Sequence, residues 1–167
     1  MTIERGNYLV IVILDTSVIT LLILESNSSD EAYKCKQWLY GLLARGATIF
    51  IPDICIYEVL RGILFIARRN NLAISNKKRN LEHLFTYIGR LPLTLEVLER
   101  ASSLWANAML TNLVRAKGVD VDLLIIAHLE EIKQSCPGRG VIIATKNIKD
   151  FNLLNAGDGD YWHNIYL

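Results

Sequence analysis

Four acidic side chains stand where a chain rarely leaves a charge without a use for it. Asp15 ends the apolar run Tyr8-Leu-Val-Ile-Val-Ile-Leu14 and is followed at once by Thr16, Ser17 and a second apolar stretch. A carboxylate at the exit of a buried strand costs free energy unless it is paired. Glu58 lies in the apolar segment after Pro52-Asp53, Asp122 opens Asp122-Leu-Leu-Ile-Ile-Ala127, and Asp150 comes five residues after Thr145. Carboxylates that meet in one cleft repel one another and raise their pKa values, and a divalent cation removes that conflict. An all-oxygen site of this kind suits Mg²⁺ or Mn²⁺. Its usual chemistry is phosphodiester hydrolysis, with the cation activating a water and stabilising the leaving oxygen.

Each acid also has an ordinary explanation. Asp15 could be a helix N-cap. Glu58 could be a solvated helix residue paired with Arg61 at i,i+3. Asp122 could be a first-turn acid favoured by the helix dipole, and Asp150 a turn residue. The elements that carry them decide between the readings.

The continuous apolar run over residues 8–14 predicts a parallel strand buried on both faces. A short helix over 16–24 and a helix over 30–45, with Asp30 as N-cap and Gly46 as stop, should follow. Residues 47–51 read as a strand, and Pro52-Asp53 opens a helix running to Arg69. Further helices are expected over 75–88, 95–117 and 121–135, and strands over 90–94 and 140–145. A helical turn over 147–151 and an edge strand in the tail with Trp162 and Tyr166 complete the pattern. Strands alternating with helices predict an α/β fold, a central, mainly parallel sheet flanked by helices. In such a sheet the strand C-termini and the helix N-termini share one edge, where ligands bind. Asp15, Asp122 and Asp150 fall at that edge, and Glu58 lies about 8 Å down its helix at ~1.5 Å per residue. Its side chain leans back toward the helix start.

Length and composition set the frame. A chain of 167 residues, half of them hydrophobic, is expected to form a single globular domain over 1–167. Its three cysteines, Cys35, Cys55 and Cys136, are odd in number and lack a C-x-x-C pair. That predicts a reduced, cytoplasmic protein without zinc or a disulfide framework. The apolar stretch 8–24 is near the short limit for a membrane span. Its β-branched first half and the Asp-Thr-Ser that follows predict a strand and a helix start, so no membrane partner is expected.

Net charge is +1, so any contact with nucleic acid must be local. Residues 61–90 carry Arg61, Arg68, Arg69, Lys77, Lys78, Arg79 and Arg90 against one acid, Glu82. Such a cluster is either a solvated face or a phosphate-binding patch. Arg61, one turn beyond Glu58, is the best placed to meet a phosphate, with Arg68 and Arg69 further along. His83, His128 and His163 lack paired metal spacing, and no glycine-rich phosphate loop is present. Trp38 and Trp105 are expected in the core or at a dimer interface.

Four local motifs resemble those of the PIN-domain ribonucleases, and of VapC-type toxins of toxin–antitoxin pairs in particular. They are Leu14-Asp15-Thr16-Ser17, the E-x-x-x-G helix from Glu58 to Gly62, Asp122-Leu-Leu-Ile-Ile-Ala127, and Thr145-Lys-Asn147-Ile-Lys-Asp150-Phe151. Their order and spacing match over residues 8–154. Ile126 stands where the family often has Ala, and Asp120 adds an acid beside Asp122 that could shift the ligand assignment. The resemblance implies a PIN-like fold and a Mg²⁺ or Mn²⁺ site held by Asp15, Glu58, Asp122 and Asp150. It implies that Ser17, Thr145 and Asn147 orient those carboxylates. It further implies an RNA substrate cut to leave a 3′-hydroxyl and a 5′-phosphate, a cognate antitoxin over the cleft, and a homodimer. Two alternatives compete. One is a PIN-like module that binds RNA or a partner without cleaving. The other is a phosphotransfer enzyme with Asp15 as nucleophile, which wants a second Asp two residues on, where Ser17 stands.

Overall fold

The computed structural model describes residues 10–71, 76–111, 119–154 and 158–166. Strand β1 (Ile11–Leu14) is buried along its whole length, as expected of a strand covered on both faces. Tyr8 and Leu9, the first residues of the predicted strand, lie outside the described residues. Helix α1 (Thr16–Leu22) follows after a single residue, Asp15. The 8–24 stretch is thus divided between two elements, and no helix among the described residues is long and apolar enough to cross a membrane.

Helix α2 (Asp30–Ala44) starts one residue earlier than expected in its capping. Ser29, not Asp30, is the N-cap, and its hydroxyl accepts a hydrogen bond from the Ala32 N–H at 3.0 Å. Asp30 instead sits in the first turn, where the helix dipole favours a negative charge. Strand β2 (Thr48–Pro52) leads into α3 (Asp53–Arg69) without a loop. Helix α4 (Asn76–Leu84) and strand β3 (Gly89–Leu91) are shorter than the patterns suggested. Helix α5 spans Leu95–Leu110; residues 112–117 of its predicted extent lie outside the described residues. Then come α6 (Asp120–Ser135), β4 (Val141–Thr145), α7 (Ile148–Leu153) and β5 (Gly159–Tyr161), which ends in a 3-10 turn, Trp162–Asn164.

The five strands form one sheet in the order β3-β2-β1-β4-β5, and every pairing is parallel. The tail does supply an edge strand, and the sheet is wholly rather than mainly parallel. Chain order runs outward from β1 in two directions, so the point of reversal lies between β1 and β4. A crevice opens at such a point beyond the strand C-termini. Asp15 and Thr145 end those two strands.

The core packs Ile11, Val12, Ile13 and Leu14 against Val18, Ile19, Leu39, Ile51, Ile125 and Phe151. Cys35 and Cys55 are buried small side chains within it. Burial pushes the Cys35 thiol up to about 12 and the Cys55 thiol higher still, so neither is a nucleophile or a soft metal ligand. Trp38 packs edge-on against Trp162 and donates its indole N–H to the Ile165 carbonyl at 2.9 Å. That bond ties the C-terminal segment to α2. Trp105, by contrast, is exposed on α5.

Candidate metal centre

Asp15 is fixed by its backbone on both sides. Its N–H continues the sheet ladder to the Ala144 carbonyl at 3.0 Å, and its carbonyl accepts from Val18 and Ile19 to start α1. The side chain makes no capping bond. The carboxylate is thereby left for another use, and the N-cap reading of Asp15 holds for its backbone alone. Oδ2 accepts two hydroxyls, from Ser17 at 2.6 Å and from Thr145 at 2.8 Å. Each hydroxyl is itself aimed by a backbone N–H from the segment after β4. Lys146 N–H donates to Ser17 Oγ at 3.0 Å, and Asn147 N–H to Thr145 Oγ1 at 2.9 Å. A hydroxyl has one proton, so accepting from the backbone leaves that proton directed at Asp15. Thr145 is fully buried and Asp15 nearly so. The Asn147 side-chain amide donates onward to Asp150 Oδ2. Ser17, Thr145 and Asn147 therefore link Asp15 and Asp150 in one network across the crevice.

Glu58 enters from α3. Its Oε2 accepts the Thr16 hydroxyl at 2.8 Å, and its Oε1 lies 3.4 Å from the Arg61 guanidinium. The i,i+3 pair weighed as the ordinary explanation of Glu58 is present, and so is an anchor to the crevice. Thr16 belongs to the Leu14–Ser17 motif, yet sequence reasoning gave it no role. The signal available was its place next to Asp15; its partner is 42 residues away.

Asp122 lies in the first turn of α6, half-buried. Its pKa is raised from 3.8 to about 7, first by burial and then by the charges of Asp15, Asp150 and Glu58. Asp120 is not among the charges acting on it; that side chain is exposed and lines a shallow cavity against Leu98 and Trp105 of α5. Among the described residues, no three His, Cys, Asp or Glu side chains are grouped closely enough to hold a metal ion. The four acids thus share an electrostatic field without a preassembled cage. Their chemistry fits a hard divalent cation, with oxygen donors only and a carboxyl, Asp122, whose ionisation burial and then neighbouring negative charge make less favourable.

The predicted basic patch is divided by the fold. Arg90 makes 3.0 and 2.8 Å bonds to Asp53 Oδ1 and lies over the Phe85 ring, so it fastens β3 to the start of α3. Lys78 pairs with Glu82 along α4. Arg68 and Arg69 are exposed at the end of α3 and have no ion-pair partner among the described residues.

The PIN domain family model matches residues 12–147, and the chain belongs to that family. No curated protein matches it. Its fold is similar to a chain of VapBC2 from Rickettsia felis bound to a DNA fragment from their promoter, at TM-score 0.63 and 20% identity, covering 91% of this chain and 98% of that one. It is likewise similar to VapBC-1 from nontypeable Haemophilus influenzae, at TM-score 0.62 and 18% identity over 92% and 98% of the two chains. DNA-bound VapBC from Salmonella typhimurium gives 0.58 and 17% over the same shares.

Proposed function

We propose that this PIN-domain protein is a divalent-metal-dependent endoribonuclease and the toxin of a toxin–antitoxin pair. The observation that carries the reading is the hydrogen-bonded network in which Ser17, Thr145 and Asn147 join the carboxylates of Asp15 and Asp150 at the sheet's carboxyl edge, beside Asp122, whose pKa is raised first by burial and then by three neighbouring carboxylates. Asp15, Glu58, Asp122 and Asp150 would hold Mg²⁺ or Mn²⁺, which when bound supplies Lewis acidity toward a phosphodiester and an activated water. The chain's own residues prepare that edge. Ser17 and Thr145 fix Asp15 by donating to one oxygen, Thr16 fixes Glu58, and Asn147 fixes Asp150. Groups that orient ligands in this way tune a metal site almost as strongly as the ligands do. Arg61, beside Glu58, Arg68 and Arg69 supply positive charge for the RNA backbone.

An antitoxin partner is supported by a groove of about 370 Å³ that begins at Thr16 and Glu58 and runs between α1 and α3 past Ile23, Val59, Ile63 and Ile66 to Lys77. An amphipathic segment seated there would cover the mouth of the crevice and could present a basic side chain to the acids. A homodimer is supported by the exposed Leu95, Leu98 and Trp105 of α5.

The test is cleavage of RNA by purified protein with Mn²⁺ or Mg²⁺, and growth inhibition on expression. Asp15→Asn and Asp122→Asn each abolish both, with the fold retained by circular dichroism. Unchanged metal-dependent cleavage in the two variants would overturn the site.

A further inference from the structure

We propose that the outward face of α3 is a track for single-stranded RNA, on which Tyr57 and Phe65 stack bases while Arg61, Arg68 and Arg69 bind the phosphates between them. The proposal rests on Glu58 being part of the cleavage site, and it adds the residues that recognise bases.

Helix α3 buries Cys55, Ile56, Val59, Ile63 and Ala67. At about 100° per residue, Tyr57, Arg61, Phe65 and Arg68 fall within an arc of about 80° on the opposite side. Tyr57 and Phe65 are 57% and 62% exposed, unusually open for rings on a well-packed helix. Isolated exposed apolar residues are ordinary; here two rings alternate with Arg61 and Arg68 along one face, and Arg69 flanks it.

The charge pattern selects the occupant. Arg61 stands between the two rings, and Arg68 and Arg69 follow the second. Glu58, at the edge of the stripe, is the sole acid between Tyr57 and Arg69. A purely apolar stripe would suit a protein helix; rings interleaved with cations suit a polyanion carrying flat bases. The stripe also points at the site. The Arg61 guanidinium lies 5.5 Å from the Tyr57 ring centroid and 3.4 Å from the Glu58 carboxylate. Ring, cation and carboxylate therefore adjoin, so a base on Tyr57 places its phosphate beside Glu58.

Tyr57 and Phe65 are about 12 Å apart along the helix at ~1.5 Å per residue. Two rings on one helix cannot reach bases that are paired and stacked inside an A-form duplex, whose major groove is deep and narrow. The bases they meet are unpaired.

Binding in EDTA separates this proposal from the nuclease reading, because no cleavage is involved. The fluorescence anisotropy of a labelled single-stranded RNA is titrated with full-length protein, beside the same RNA annealed to its complement. The expected result is tighter binding of the single strand. Tyr57→Ala and Phe65→Ala each lose about tenfold in affinity. Tyr57→Phe and Phe65→Tyr keep it, and Phe65→Leu, which retains apolar volume without a ring, loses as much as Phe65→Ala. Equal affinity for duplex, or affinity unmoved by ring removal, overturns the track. So does a loss confined to binding of a protein partner, which would make the face a protein interface. Ring-dependent binding in EDTA without cleavage on adding Mn²⁺ supports the track and counts against the nuclease reading. Cleavage indifferent to both rings does the reverse.

Discussion

The carboxylate of Asp15 receives two hydroxyl protons on one oxygen, and both hydroxyls are aimed by backbone N–H groups just beyond β4. Removing one of them leaves the charge in place and loosens its direction. Thr145→Val, close to isosteric, should therefore cost about 10–100-fold in metal affinity or metal-dependent cleavage. Mn²⁺ titration by calorimetry would read the loss, and an unchanged affinity would refute the orienting role. Asp122 makes a prediction of opposite sign for the metal-free protein. Its folded pKa of about 7 lies above the ordinary 3.8, so folding favours the protonated form. The associated stability is complete below about pH 4 and is lost as the pH rises through about 7. Asp122→Asn should raise the melting temperature of metal-free protein at pH 8 by a few degrees and change it little at pH 4. Mn²⁺ should stabilise the wild type and not the variant. A variant less stable than wild type at pH 8 without metal would refute the shared field.

At the scale of elements, α6 carries both Asp122 and a weak point. His128 lies on its buried side, 2% exposed, and its Nε2 has no hydrogen-bond partner among the described residues. Burial holds the ring neutral and lowers its pKa from 6.5 to about 4, against a smaller opposing pull from Asp53. Stability from the neutral ring is present above about pH 6.5 and is lost as the pH falls through about 4. His128→Leu should move the acid-unfolding midpoint to lower pH, as followed by tryptophan fluorescence. An unmoved midpoint would assign acid unfolding to other groups. The same scale shows what local pattern could and could not give. The strand-to-helix passage at Asp15 and the opening of α3 at Pro52-Asp53 were legible, because an apolar run followed by a capping residue is a local signal. The cap of α2 was misplaced by one residue, because Ser29 and Asp30 are both good caps and only the Ala32 bond distinguishes them. Arg90 counted in a basic cluster left open between a solvated face and a phosphate-binding patch, because sequence cannot show that Asp53, 37 residues away, takes it.

For the whole molecule, charge is nearly balanced at +1, so the proposed RNA binding would depend on few local cations. The affinity for RNA should fall with salt on a shallow log–log slope, of about −0.7 for each phosphate neutralised on a single strand. Reversing Arg68 and Arg69 together to Glu should flatten that slope further, measured by anisotropy over a range of KCl. A slope unchanged in this variant would remove both arginines from the RNA contact. The apolar face of α5 makes a separate prediction. Trp105→Glu should convert a dimer to a monomer in sedimentation velocity, and a monomeric wild type would remove the dimer altogether. By itself the sequence placed Asp15, Glu58, Asp122 and Asp150 at the start or end of an element, or one turn inside it, since those places follow from local apolar runs, caps and breakers. It also determined the α/β alternation. Only the tertiary structure decided that β1 and β4 are neighbours at the point where strand order reverses. That neighbourhood lets a hydroxyl 130 residues from Asp15 aim at its carboxylate. Contacts of that range are set by packing and sheet order, which no window of sequence contains.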